Sequence, residues 1–293
     1  MFDQMSFPPY LHRMMPLILQ PVFWLILVLL QPGVQSHPLD VMTWNIRYDN
    51  PDDGPNAWPL RRDALAQFIL EKHPDILGIQ EGLDHQVRWL DSVLSGYARV
   101  GHGRDDGDRK GEYCAIFYRT DRLRLIETTT RWLSSTPDQP STGWDAALPR
   151  IVTTGRWEDR QTGRVWMVYN THFDHRGATA RSESARLLDT WMASSCGEMP
   201  CILMGDLNAS PEAEPITWLK QSKRDVLDEA DRVTGPSGTF SSFDPEGKPA
   251  PRIDYIFLNN GMVRVMEAAI LETCRADRCL SDHRPVWCRL TAG

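Results

Sequence analysis

From Asp40 onward the chain alternates between short, densely apolar runs and polar patches. Val41–Thr43, Ile76–Ile79, Val165–Tyr169 and Ile202–Met204 are apolar or β-branched at nearly every position, without the period-two alternation of a half-exposed strand. Such runs predict strands buried on both faces. The pattern predicts strands over Asp40–Ile46, Asp75–Gln80, Cys114–Tyr118, Ile151–Glu158, Val165–Thr171, Cys201–Gly205, Ile253–Leu258, Val263–Leu271 and Val286–Leu290. Helical spacing fits Leu60–Lys72, His85–Leu94, Ala180–Ala193 and Glu214–Lys220. In the first helix Leu60, Ala64, Phe68 and Ile69 fall on one face and Arg61, Arg62 and Asp63 on the other, which predicts that the arginines face solvent. Arg104–Lys110, Pro137–Asp145 and Thr234–Pro251 are rich in turn formers and read as loops. Many strands with a few interspersed helices predict an α/β sandwich, two sheets face to face with helices outside.

The first stretch stands apart from this pattern. Leu17 to Leu30 is almost wholly apolar, follows the lone cation Arg13, and leads into Val34-Gln35-Ser36, an acceptable small-residue cleavage site. Residues 1–36 therefore read as a signal peptide, with the mature domain running from His37 to Gly293 and exported to the periplasm or beyond. An uncleaved anchor is the alternative, although the run falls short of the roughly 20 residues a spanning helix needs. After cleavage no stable membrane insertion is expected.

Export changes the reading of the six cysteines. Cys196/Cys201 and Cys274/Cys279 share one short spacing in polar sequence and are predicted to form two local disulfides. Cys114 and Cys288 sit in apolar strand patterns and are predicted to be buried thiols. No C-x-x-C pair is present, which argues against zinc. A formal charge of −7 lacks the basic surface that grips long duplex nucleic acid.

The candidate chemistry lies in six polar islands that abut the apolar runs. They are Trp44-Asn45-Ile46-Arg47, Gln80-Glu81, Asn170-Thr171-His172-Phe173-Asp174-His175, Gly205-Asp206-Leu207-Asn208, Ile253-Asp254-Tyr255 and Ser281-Asp282-His283-Arg284-Pro285. Polar groups at strand ends should emerge along one rim of the sheets. Carboxylates, amides and imidazoles gathered there suit a hard divalent cation and a phosphate ester.

Taken in order, the islands resemble the endonuclease/exonuclease/phosphatase superfamily, the DNase I-like metal-dependent phosphoesterases. The resemblance runs from Asn45 to Pro285. The tract Trp44–Asp53 with Trp58-Pro59-Leu60-Arg61-Arg62 is most similar to its compact exported bacterial members. It implies a four-layer α/β sandwich, with two packed, mostly antiparallel β-sheets flanked by helices. It also implies hydrolysis of a phosphodiester or phosphomonoester by metal-assisted in-line attack of water. Glu81 is then the expected direct ligand of Mg²⁺, for which Mn²⁺ would substitute. Asn45 would add a neutral oxygen or hold a water, and Asp282 would contribute from the outer sphere. Asp206 would orient or deprotonate the attacking water and Asn208 would contact the phosphate. Asp254 and His283 would form a carboxylate–imidazole pair, with His172 as a second donor. Asp174, His175 and Arg176 extend the His172 island and would either line the substrate pocket or make a surface turn; Trp58, Trp144 and Arg61/Arg62 are further pocket candidates.

The expected partner is a phosphoester, small or single-stranded by preference. A nucleic-acid substrate stays open, as an exported nuclease acting on DNA or RNA. Two other classes compete: a glycosidase using Asp206 and Glu81, which would need no divalent ion, and a catalytically silent binding module of the same fold.

Overall fold

The computed structural model describes Met1 and residues 37–244, 251–259, 263–275 and 278–292. The predicted signal peptide and its cleavage point after Ser36 lie outside the described residues, as do residues 245–250 of the predicted loop Thr234–Pro251. In chain order the first elements are β1 (Leu39–Asn45), α1 (Trp58–Lys72), β2 (Ile76–Gln80), α2 (Asp84–Val93), β3 (Tyr97–Val100) and β4 (Ile116–Arg119). There follow β5 (Leu123–Trp132), β6 (Ile151–Asp159), β7 (Val165–His172), α3 (Ala178–Cys196), β8 (Cys201–Asp206), α4 (Glu214–Leu219), β9 (Arg224–Asp225) and α5 (Val226–Glu229). The last are β10 (Arg232–Thr234), β11 (Asp254–Leu258), β12 (Val263–Ile270), β13 (Cys274–Arg275), β14 (Arg278–Cys279) and β15 (Val286–Ala292).

One sheet has the order β10-β12-β15-β1-β2-β4-β3 and the other β5-β6-β7-β8-β11-β9. Both are mixed. β1–β2, β7–β8 and β10–β12 run parallel, and the remaining ladders of the two sheets run antiparallel.

Strand side chains alternate between faces, so a continuously apolar strand feeds two cores at once. Val41, Ile76, Val168, Ile202, Ile256 and Val286 meet between the sheets. Met42, Trp44, Leu77, Ile79 and Phe117 pack outward against Trp58, Leu65 and Ile69 of α1 and Val87 and Leu90 of α2. On the far side Tyr169, Leu203, Tyr255 and Phe257 pack against Leu188 and Met192 of α3 and Ile216 and Leu219 of α4. The result is the predicted four-layer sandwich.

The α1 faces differ from the prediction. Leu60 is 64% exposed, whereas Arg61 is 4% exposed and packs with Trp58, Leu65, Ala66 and Ile69. A charged side chain turns inward here because main-chain carbonyls wait to receive it: Arg61 donates to Ile46 O, Arg47 O, Asn56 O and Leu280 O. Among the predicted loops, Arg104–Lys110 and Pro137–Asp145 carry no helix or strand. Strands β3 and β5, like the short β9, β10, β13 and β14, were not predicted. Strand β5 has a bulge between Leu125 and Glu127 that breaks its alternation, and most of its residues face solvent.

Polar side chains stitch the sheets together near one rim. Gln80 of β2 donates to Asn170 Oδ1 of β7 at 2.6 Å, and Asn170 Nδ2 donates back to Ile79 O and Ala115 O at 2.9 Å each. The close approach depends on Gly78, where a Cβ would lie 2.6 Å from Met204 Cε and 2.7 Å from Asn170 Oδ1. Both predicted disulfides are present, and Cys114 and Cys288 are buried and free. Among the described residues no helix is long and apolar enough to cross a membrane.

Gly78→Ala should overpack this junction and cost about 1–3 kcal/mol. Urea unfolding is expected to give a lower midpoint with an unchanged m-value; an unchanged midpoint would show that the sheets have room to part.

Candidate active site

Topology alone brings the islands to one rim. β1, β2, β7 and β8 run toward it and end in Asn45, Gln80-Glu81, His172 and Asp206. β11 and β15 run the opposite way, so Asp254 at the start of one and His283 just before the other reach the same rim. The register places Asp206 opposite both His172 and Asp254. Gly205 has φ +147°, and a Cβ there would fall 1.9 Å from Thr171 O. Glycine is therefore required immediately before Asp206. Glu81 and Asn208 adopt left-handed backbones, with φ of +64° and +47°. Asparagine tolerates this region, whereas glutamate there is a strained outlier of the kind that clusters at functional sites, at about 1–3 kcal/mol.

Asn45 lies at the centre. Its Nδ2 donates to Glu81 Oε1 at 2.9 Å and to Asp206 Oδ2 at 3.0 Å, and it lies 3.5 Å from His283 Nε2. Its Oδ1 accepts from Arg47 N at 3.0 Å. The expected neutral oxygen is thus engaged by main chain, and the amide nitrogen faces the carboxylates. Glu81 Oε2 accepts from Tyr48 N at 3.1 Å. Asp206 Oδ1 accepts from Asn208 N at 2.9 Å, while its Oδ2 lies 3.4 Å from His172 Nε2 and 3.7 Å from His283 Nε2. Asn208 Nδ2 is 3.0 Å from His172 Nε2 and donates to Phe173 O. His283 Nδ1 and Asp254 Oδ2 are 2.9 Å apart, the expected pair. Asp254 Oδ1 is buried without a hydrogen-bond partner among the described residues. Asp282 is buried beside Arg47, 3.7 Å from its Nη1.

Electrostatics divide the two imidazoles. Burial would depress His283, but Asp254 and Asp206 more than reverse this and hold it well above the ordinary histidine value. His172 is pushed well below that value by burial, reinforced by Arg150 and Arg104. Burial, together with the nearby Asp254, pushes Asp206 up to about 7. Burial likewise raises Asp282.

Of the three residues extending the His172 island, Asp174 is fully buried. It accepts from Arg176 N at 2.9 Å, Gly177 N at 2.7 Å and Arg150 Nε at 3.2 Å, so its carboxylate is consumed in shaping the turn into α3. His175 and Arg176 are exposed at the rim. Trp58 and Arg61 are buried structure, and Trp144 is 44% exposed. Sequence reasoning did not single out Arg150, whose Nη2 is 2.9 Å from His175 Nδ1, or the pair in which Arg104 donates twice to Glu112 beside His172. Arg150 is a lone charge just before β6, whereas Arg104 and Glu112 lie in the charged turn-rich stretch before β4. The only sequence signal is the position of Arg150, like that of the islands.

Glu81, His172 and Asp206 each offer an atom within 4.8 Å of the others, and so do Asp206, Asp254 and His283. Glu81, Asp206 and Asp254 gather at this rim beside one raised imidazole, with Asp282 close by on Arg47. An oxygen-rich donor set with surplus negative charge fits a hard divalent cation.

This fold and rim geometry define a phosphoesterase. Residues 42–283 match the family model for the Endonuclease/Exonuclease/phosphatase family, and the chain belongs to that family. It is similar to a solved endonuclease/exonuclease/phosphatase family protein from Bacteroides thetaiotaomicron, at 37% identity and TM-score 0.84, covering 88% of this chain and 99% of that one. It is also similar to a mannosyl-6-phosphatase of B. thetaiotaomicron, at 37% identity and TM-score 0.82, covering 86% and 99% of the two chains. Nocturnin of Drosophila melanogaster is 26% identical over 247 residues, 71% of this chain but 37% of that longer protein. Hydrolases of this family act on phosphoester bonds and are typically dependent on a divalent metal.

Burial would raise the Asp174 carboxyl, but amides of Gly177, Arg176 and Ala147 with Arg150 hold it well below the usual range. A depressed folded value contributes stability that is present above the unfolded pKa of about 3.9 and is lost as pH falls through the folded value. Asp174→Asn should therefore lower stability at pH 7 and flatten its decline below about pH 4. Denaturant midpoints across pH 2–7 that run parallel for the two proteins would contradict this.

Proposed function

We propose that this protein is an exported, Mg²⁺-dependent hydrolase of a small phosphoester, with residues 37–293 as the catalytic domain. The observation that carries the reading is the meeting of Glu81, His172, Asp206, Asn208, Asp254 and His283, from five separate segments of the chain, at one rim of the sheets. Glu81 would hold the cation, with Asn45 and Asp282 supporting it, and Mn²⁺ would substitute. When bound, the cation supplies positive charge to the phosphoryl oxygens and acidifies water.

The chain's own residues do the rest. Asn45, donating to both Glu81 and Asp206, keeps two like charges at a fixed separation. Asp206, raised to about 7, is poised to orient a water and take its proton as the water attacks phosphorus in line. His283, kept charged by Asp254, donates from Nε2 to a phosphoryl oxygen and stabilises charge developing there. His172 and Asn208 add donors on the opposite side. His175 and Arg176 at the rim contact the remainder of the substrate, while Asp174 holds that rim in shape.

A small substrate is supported by the chain's acidic charge and by its similarity to a protein whose name is mannosyl-6-phosphatase. The bridged Cys196–Cys201 and Cys274–Cys279 pairs point to an oxidising environment and agree with export by an N-terminal signal peptide.

Asp206→Asn and His283→Ala should each lower kcat by about 10²–10⁴ while leaving the circular dichroism spectrum unchanged. The panel should include sugar phosphates, nucleotides, sphingomyelin, RNA and plasmid DNA, each with and without Mg²⁺. Excess chelator is expected to abolish turnover and Mg²⁺ or Mn²⁺ to restore it. Full activity in chelator, or near-wild-type turnover of either variant, would remove this mechanism.

A further inference from the structure

The ladder between β1 and β15 ends at Thr43 opposite Val286. Beyond that pair the chains diverge. One leads through Asn45 to Arg47, and the other returns through Leu280, Asp282 and His283. No sheet hydrogen bond fixes the distance between Asn45 and His283, yet the site needs both in one register. Arg61 lies in this fork. Its Nη1 donates to Ile46 O at 2.6 Å and to Leu280 O at 3.0 Å, and its Nη2 donates to Arg47 O at 2.8 Å. Its Nε donates to Asn56 O at 2.8 Å. The guanidinium lies 5.2 Å from the Trp58 ring and 5.8 Å from the Phe243 ring.

No carboxylate among the described residues lies within ion-pair distance of Arg61, which separates it from an ordinary buried salt bridge. Two further bonds close the same fork, Ser281 Oγ to Asn45 O at 2.7 Å and Trp44 Nε1 to His283 O at 2.9 Å. Each of these makes one contact, whereas Arg61 makes four, spanning both diverging chains. A planar fork with five donors can serve carbonyls on two strands at once, and a lysine ammonium cannot reproduce that geometry.

We propose that Arg61 is a positioning residue, which clamps the Asn45–Arg47 exit of β1 to the Leu280–His283 approach of β15. It thereby fixes the spacing between the carboxylate and imidazole sides of the pocket. The inference rests on the phosphoesterase reading for its catalytic consequence, but its structural consequence is independent of that reading. Misplacing reacting groups by about 1 Å costs on the order of 10² in rate.

The test compares wild type with Arg61→Lys and Arg61→Met by hydrogen exchange and by kinetics on a turned-over phosphoester, well below the melting temperature. Exchange should quicken in peptides covering residues 44–48 and 279–284 and stay unchanged in β6, β7 and β8. In Arg61→Lys, kcat should fall at least tenfold with KM within about threefold. Arg61→Met should fall further, and if it does not fold the lysine variant decides. A folded Arg61→Lys with kcat within twofold of wild type overturns the proposal. So does a kcat loss without faster exchange in both segments, which would mean direct action on the substrate. If wild type turns over no phosphoester, the functional reading fails, and the exchange pattern alone supports or overturns the clamp.

Discussion

Surplus negative charge held out of water is the constraint around which this molecule is organised. Glu81, Asp206, Asp254 and Asp282 converge where one strongly charged imidazole, His283, cannot neutralise them all. Desolvated like charges raise each other's pKa, and Asp206 registers this most clearly. The fold tolerates the arrangement because donors meet most of these oxygens: Asn45 donates to Glu81 and Asp206, Tyr48 N to Glu81, Asn208 N to Asp206, and His283 lies 2.9 Å from Asp254. A cation would complete the balance, so the proposed metal would meet a site already organised to receive it.

Much of this was legible in the sequence. Strands buried on both faces announce themselves as unbroken apolar runs, so a charged or amide residue at the end of such a run is conspicuous. The need for Gly205 before Asp206 was not readable, since Gly-Asp looks like an ordinary turn until β8 is laid against Thr171. Less legible were features whose logic is three-dimensional. Arg61 looks like a solvent-facing cation on a helical wheel, because periodicity cannot see the carbonyls that accept it. Asp174 looks like a site residue by adjacency, but its lone pairs are spent on its own turn. Arg150 stands alone in sequence and meets Asp174 and His175 only when β6 is laid beside β7, while the Arg104–Glu112 pair is hidden in a loop that reads as ordinary charged surface. Edge strand β5 escaped because solvent on one side and a bulge remove the pattern by which strands are recognised.

The two imidazoles show how environment divides a residue type. Against its burial, Asp254 and Asp206 hold His283 well above the ordinary value, whereas burial, with Arg150 and Arg104 behind it, holds His172 well below. Sequence places both at strand ends and gives no hint of the difference, which arises from Asp254 of β11 in one case and from burial beside the Arg150 and Arg104 segments in the other.

The sheet orders carry a consequence for how the pocket comes into being. Strands β15-β1-β2 in one sheet and β11-β8-β7 in the other are like trios, each an antiparallel strand beside a parallel pair, and each donating three side chains to the seam. The second trio lies, in chain order, between the first and last strands of the other. Five of the six partners precede His283 in the chain, and the first trio is closed by β15, the strand most distant in sequence from its neighbour β1. A working centre therefore requires the longest-range pairing in the fold to have formed.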